Sequence, residues 1–114
     1  MTVKEFADRA ALSVICMPFP EKIVNGAYTC DLLSRAMVRA GSSNVWITVM
    51  SNKNIVPIAV LCDISCILLA EDTRLDDDAL KLAVSSGVNI LSSKKSSYEC
   101  SVLTSDVIRD FERR

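Results

Sequence analysis

Residues 45–70, VWITVMSNKNIVPIAVLCDISCILLA, decide the fold of this chain. The segment opens with a β-branched and aromatic run over residues 45–50, which predicts a strand. After the polar loop 51–54, residues 55–62 are apolar nearly all round, which predicts a helix buried on most sides. Residues 66–70 form a second continuous apolar run. Two apolar strands joined by a helix predict a parallel sheet that is covered on both faces.

The rest of the chain repeats this alternation of helices and strands. Thr2 and Glu5 form a T-x-x-E capping box, which predicts a first helix over residues 3–11. We expect Asp31 to cap a helix that runs to residue 40, with Gly41 ending it in the left-handed region. The other predicted elements are strands over residues 13–17, 26–30 and 88–91, and helices over residues 76–86 and 98–111. The sequence therefore predicts a single α/β domain over residues 1–114, with three α/β/α layers and a mainly parallel sheet of about five strands.

Composition argues against several classes of protein. The 13 basic and 14 acidic residues nearly cancel and the basic ones are scattered, so we expect no nucleic-acid partner. The apolar run over residues 55–70 is interrupted by Asp63 and is shorter than the roughly 20 residues of a membrane span, so we expect no membrane segment. The five cysteines form no CxxC pair and follow no signal-peptide pattern. We therefore expect a cytoplasmic protein with free, mostly buried thiols.

No catalytic motif is recognisable. The chain has no histidine, which removes the commonest general base, and its three glycines cannot build a glycine-rich phosphate loop. We predict no catalytic residue, no metal and no cofactor, and hence a protein that is not an enzyme. An iron–sulfur or redox protein stays open as an alternative because five cysteines are present, although only Cys62 and Cys66 are close in sequence.

The polar loop after the strongest strand is the candidate binding site, because ligands of parallel sheets bind beyond the carboxyl ends of the strands. The candidate ligand-binding residues are Asp31, Thr48, Ser51, Asn52 and Asn54. The hydroxyl and amide groups among them are suited to hold an anionic or adenine-like ligand by hydrogen bonds. The alternative is that Ser51, Asn52 and Asn54 only cap a helix and close a turn, a role that these residue types favour.

Three segments together resemble the DRTGG domain family: GAYTCDLLS at residues 26–34, VWIT at residues 45–48 and NIVPIAVL at residues 54–61. The similarity extends over about residues 1–110 and is greatest to the short stand-alone bacterial members. It implies a fold similar to the N-terminal domain of HPr kinase/phosphorylase, a three-layer unit with a mainly parallel sheet.

The motif that gives the family its name is changed in this chain. The Asp-Arg pair falls near Ser51 and Asn52, and the Thr-Gly-Gly falls near Ala70, Glu71 and Asp72. Stand-alone members often carry a histidine where this chain has its Asn52. Two other positions, residues 48 and 54, do match the family.

The resemblance also implies a class of function. DRTGG domains attached to phosphotransacetylases and CBS-domain pyrophosphatases act as regulatory or dimerising modules, in some cases near an adenine-nucleotide site. Short stand-alone members are often encoded beside iron-only hydrogenase subunits. The leading hypothesis is therefore a non-enzymatic regulatory or protein-interaction module, which forms a homodimer or docks on a redox enzyme such as an iron-only hydrogenase. The alternatives are an adenine-nucleotide sensor and an iron–sulfur protein.

Overall fold

The computed structural model describes residues 1–113, over which five strands and five helices follow one another. The strands are β1 (Ser13–Cys16), β2 (Gly26–Thr29), β3 (Asn44–Thr48), β4 (Cys66–Leu69) and β5 (Ile90–Ser92). The helices are α1 (Val3–Arg9), α2 (Leu33–Arg39), α3 (Ile55–Leu61), α4 (Asp77–Ser86) and α5 (Ser97–Glu112). Each predicted element is present, within a few residues of its predicted bounds. None of these helices is both long and apolar enough to cross a membrane.

The five strands form one sheet in the order β1-β5-β4-β3-β2. Strands β2 to β5 are parallel, and β1 pairs with β5 in the antiparallel direction. In the centre of the sheet, Trp46 lies opposite Tyr28 on one side and Ile67 on the other. The prediction of a mainly parallel sheet of five strands is confirmed, and β1 and β2 are its two edges.

Alternate residues of the strands enter two separate cores. Val45 and Ile47 of β3 pack in a cluster with residues of α1 and α5, whereas Trp46 packs in a cluster with residues of α2, α3 and α4. Side chains alternate between the two faces of a strand, so a run without polar residues fills both faces. The predicted three-layer α/β/α architecture is therefore confirmed, with α1 and α5 on one side of the sheet and α2, α3 and α4 on the other.

The sequence predicts the start of α1 correctly and the end of α2 wrongly. The Thr2–Glu5 capping box is present, and Gly87 ends α4 in the left-handed region with φ of 73°. Gly41 is predicted to end α2 in the left-handed region, but the φ of Gly41 is not positive. The left-handed residue there is Ser43, with φ of 64°, because the chain turns at the start of β3 and not at the end of α2.

Two apolar segments are partly exposed to solvent. The run over residues 13–17 forms the edge strand β1, where Val14 is 52% exposed. Helix α3 buries Ile55, Val56 and Ala59, but its opposite face leaves Val60 and Leu61 open to solvent. The sequence of α3 is apolar nearly all round, so it could not show which face the sheet would leave uncovered.

Candidate functional site

Two of the five predicted site residues meet at the carboxyl end of β3. The buried Thr48 hydroxyl donates to Asp31 Oδ1 at 2.8 Å, and the Val49 amide donates to the same oxygen at 2.9 Å. Thr48 Oγ1 in turn accepts from the Met50 amide at 3.2 Å. The prediction that Asp31 caps α2 is wrong, because the cap position of α2 is Leu32 and Asp31 is held by β3. The carboxylate thus ties the end of β2 to the end of β3.

The other three predicted residues lie in the loop before α3. The Asn54 amide donates to Asn52 Oδ1 at 2.9 Å, which closes a turn, and the Ser51 carbonyl accepts from the Asp76 amide at 3.1 Å. Asn54 takes the cap position of α3 but makes no side-chain capping bond. Within residues 1–113 no side-chain hydrogen bond joins this loop to the Asp31–Thr48 pair. The five residues therefore form two separate groups, one that joins the ends of β2 and β3 and one in the loop before α3.

A groove that the sequence did not predict lies between the edge strand β2 and helix α5. Its volume is about 450 Å³, within the range of small-molecule sites. Ala27 and Ile108 supply its apolar surface, and Thr29, Ser101 and Arg109 supply polar groups. None of the five predicted site residues lines it.

The polar side of this groove is built from residues far apart in sequence. The hydroxyls of Thr29 and Ser101 lie 2.8 Å apart, although 72 positions separate them along the chain. Arg109 Nη2 donates to the Ser105 hydroxyl at 3.2 Å. The available sequence signal was the spacing of Ser97, Ser101 and Ser105, which recurs every four residues and so places hydroxyls on one face of a helix.

The cysteines do not converge. Cys66 and Cys100 are buried, while Cys16, Cys30 and Cys62 are half-buried. Burial raises the pKa of the Cys66 thiol to about 12, so this thiol stays protonated at neutral pH. Among residues 1–113 no group of three or more His, Cys, Asp or Glu side chains is arranged to hold a metal ion. The iron–sulfur alternative therefore has no ligand set in this part of the chain.

An exposed apolar surface covers adjacent helices α2 and α3. Met37 and Val38 of α2 and Val60 and Leu61 of α3 are between 45% and 75% exposed, and we call these four residues the α2–α3 face. The two helices are joined at this point, because Cys62 Sγ donates to the Met37 carbonyl at 3.5 Å. Apolar side chains concentrated on one surface typically mark a protein interface.

Comparison with known proteins gives a structural likeness. No family model matches the chain, and a search of curated proteins finds no match. The chain is similar to a crystal structure of the CBS and DRTGG domains of the regulatory region of Clostridium perfringens pyrophosphatase, complexed with the activator diadenosine tetraphosphate. The TM-score is 0.69 with 11% sequence identity, over 90% of this chain and 45% of that chain.

The fold is DRTGG-like.

One altered motif position in this DRTGG-like fold has a backbone conformation that glycine favours. Glu71 and Asp72, where the resemblance places Gly-Gly, have φ of 60° and 56°, in the left-handed region that glycine favours. Their amides donate to the carbonyls of Lys95 and Ser93 at 2.8 and 2.9 Å, which anchors the end of β4 to the segment after β5. This chain therefore keeps a left-handed turn there without glycine. At 11% identity the likeness establishes the fold alone.

Proposed function

We propose that this chain is a non-enzymatic regulatory module that acts through protein contacts, either with a second copy of itself or with a protein partner such as a redox enzyme. The observation that carries the proposal is the α2–α3 face. The likeness to a domain from the regulatory region of a pyrophosphatase supports the same class of role. An accessory role to an iron-only hydrogenase stays a prediction within this proposal, as does a cytoplasmic location.

The physical reason is the cost of leaving aliphatic side chains in water. Val38 is 75% exposed and Leu61 is 68% exposed, on the outer sides of α2 and α3. Covering such side chains stabilises a complex by roughly 25 cal/mol for each Å² of apolar surface removed from water. Helix α3 thus has more apolar side chains than the interior of the domain buries.

Sedimentation velocity over a range of concentrations tests the proposal, with the full chain and two matched variants. Val60→Ser removes an apolar side chain from the α2–α3 face, and Val102→Ser makes the same change at an exposed position of α5. We expect concentration-dependent association of the wild type that Val60→Ser weakens at least tenfold and Val102→Ser leaves unchanged. A wild type that stays strictly monomeric at high concentration counts against the self-association arm of the proposal.

A second candidate function is a small-molecule sensor for an adenine nucleotide, and the groove between β2 and α5 favours it. Arg109 is suited to bind a phosphate, the hydroxyls of Thr29 and Ser101 are suited to bind polar groups, and Ala27 and Ile108 offer an apolar surface to a base. In the structure similar to this chain, the pyrophosphatase regulatory region is complexed with a dinucleotide activator.

Thermal shift with adenine mono- and dinucleotides tests the sensor hypothesis. A nucleotide at about a hundred times its dissociation constant stabilises the folded state by roughly 2.7 kcal/mol. If the groove is the site, Arg109→Gln abolishes the shift and Asn52→Ala does not; if the loop before α3 is the site, the two variants exchange roles. No shift with any nucleotide would rule the sensor hypothesis out for these ligands.

A further inference from the structure

The helical layer that contains the α2–α3 face has an uneven charge distribution. Helix α3 lies between α2 and α4 and carries no charged residue. Helix α2 carries Arg35 and Arg39 and no acid, whereas α4 is preceded by Asp76 and begins with Asp77 and Asp78. One basic residue, at position 81, follows in the second turn of α4. The layer therefore runs from a basic helix through a neutral one to a helix with an acidic start.

Within residues 1–113 these charges have no ion-pair partner. The ion pairs within residues 1–113 are Lys4–Asp8, Lys22–Asp63 and Arg109–Asp106, and none involves α2 or α4. The charged residues of α2 and the first turn of α4 are all exposed. The layer thus has unpaired basic residues on one side of an apolar centre and unpaired acidic residues on the other. A partner surface with acidic residues opposite the basic ones, and basic residues opposite the acidic ones, can pair with both.

The apolar centre has the spacing of a helix-packing stripe. Pro57, Val60 and Leu61 recur at positions i, i+3 and i+4 of α3 and all are exposed. Residues at this spacing lie on one side of a helix and can pack against the same residues of another helix. Because the three helices follow parallel strands, α2, α3 and α4 run in the same direction and begin at the same end of the sheet.

We propose that a second copy of this chain covers this layer, with the two-fold axis running along α3. This inference rests on the proposed function, since it names the partner and the orientation for the α2–α3 face. Rotation about an axis along α3 packs α3 on α3 and lays α2 of each copy over α4 of the other. Arg35, in the first turn of α2, then faces Asp77 and Asp78 at the start of the partner's α4. The symmetry makes this pairing twice.

The charges also select against the alternative orientation. An axis perpendicular to α3 in the plane of the interface would lay α2 over α2 and set Arg35 and Arg39 against the same residues of the other copy. Like charges placed against each other oppose association.

Sedimentation equilibrium of the full chain with charge-reversal variants tests the orientation. Arg35→Glu alone and Asp77→Lys alone should each weaken the homodimer at least tenfold, because each places like charges together in both symmetric contacts. An equimolar mixture of the two variants should restore association to near the wild-type value, because each contact in the mixed dimer again joins opposite charges. Arg113→Glu, at the C-terminal end of α5 on the other side of the sheet, is the control and should leave association unchanged.

The outcomes separate this inference from the proposed function. If the wild type dimerises and Val60→Ser weakens it, but mixing the charge variants restores nothing, then the orientation is wrong and the interaction role stands. If the wild type is monomeric up to millimolar concentration, a second copy is not the occupant of this layer. Circular dichroism of each variant confirms that the chain is folded before its association is compared.

Discussion

The contact between Asp31 and the end of β3 gives a prediction whose size follows from the geometry. One carboxylate oxygen accepts from the Thr48 hydroxyl at 2.8 Å and from the Val49 amide at 2.9 Å. Asp31→Ala removes both bonds and leaves the donor of a fully buried hydroxyl without its acceptor. We expect this substitution to lower the free energy of unfolding because a buried polar group that loses its partner carries its full desolvation cost.

The magnitude is about 2–3 kcal/mol for Asp31→Ala. Hydrogen bonds to a charged group contribute about 1.5–3 kcal/mol each, and the low end applies because Asp31 itself is exposed to water. Asp31→Asn keeps an oxygen that can accept both bonds but loses the charge, so we expect a cost of about 1 kcal/mol. For a domain of this size, about 2–3 kcal/mol corresponds to a melting temperature lower by roughly 10 °C.

Urea unfolding followed by the fluorescence of Trp46 measures these differences, and Asp110→Ala, at an exposed position of α5, is the matched control. A double-mutant cycle of Asp31→Ala with Thr48→Val should give a coupling energy of about 1 kcal/mol, because the two side chains are in contact. If Asp31→Ala costs no more than Asp110→Ala, the carboxylate does not hold the two strand ends together and the reasoning fails.

Three further predictions concern acid stability, backbone strain and thiol reactivity. The pKa values of Glu5 and Glu99 lie below the ordinary 4.5, chiefly because each carboxylate accepts a hydrogen bond from the backbone amide of its capping residue. The contribution of these two carboxylates to stability is therefore complete above about pH 5 and is lost as the pH falls through the lowered pKa. Glu5→Gln with Glu99→Gln should therefore flatten the fall in unfolding free energy between about pH 5 and pH 3, and an unchanged pH profile would contradict this assignment. Glu71→Gly should raise the free energy of unfolding by about 1 kcal/mol, measured by thermal melting, because φ of 60° strains any residue with a Cβ. Glu21→Gly is the control and should give no gain, because the φ of Glu21 is not positive. Native protein at pH 8 should leave Cys66 unmodified by a thiol reagent until it unfolds, since burial raises the pKa of this thiol to about 12, and mass spectrometry of the labelled protein would detect early modification.

The prediction of the sheet succeeded because its signals are local. Residues 45–50 and 66–70 are continuous apolar runs, and a strand without polar residues has to be covered on both faces wherever it lies in a sheet. Capping residues such as Thr2 act within one helical turn, so their role can be read from their spacing. The order of layers and the parallel direction of the central strands follow from these signals and from the length of the connecting helices.

The candidate site was less predictable because its geometry depends on contacts between distant residues. Asp31 precedes a helix and has a typical capping side chain. Its carboxylate nevertheless accepts hydrogen bonds from Thr48 and Val49, which lie 17 and 18 positions further along the chain. The groove brings Thr29 beside Ser101 only because α5 returns across the sheet to β2. No local pattern at either residue specifies the other.

The sequence by itself determined that this chain has helices on both sides of a mainly parallel sheet, because hydrophobic periodicity and capping act over a few residues. Only the tertiary structure decided which apolar side chains stay outside. Helix α3 is apolar nearly all round, and the sheet covers one side of it, which leaves Val60 and Leu61 exposed beside α2. The physical reason is that burial belongs to the packing of whole layers, and a helix sequence without polar residues does not mark its own outer face.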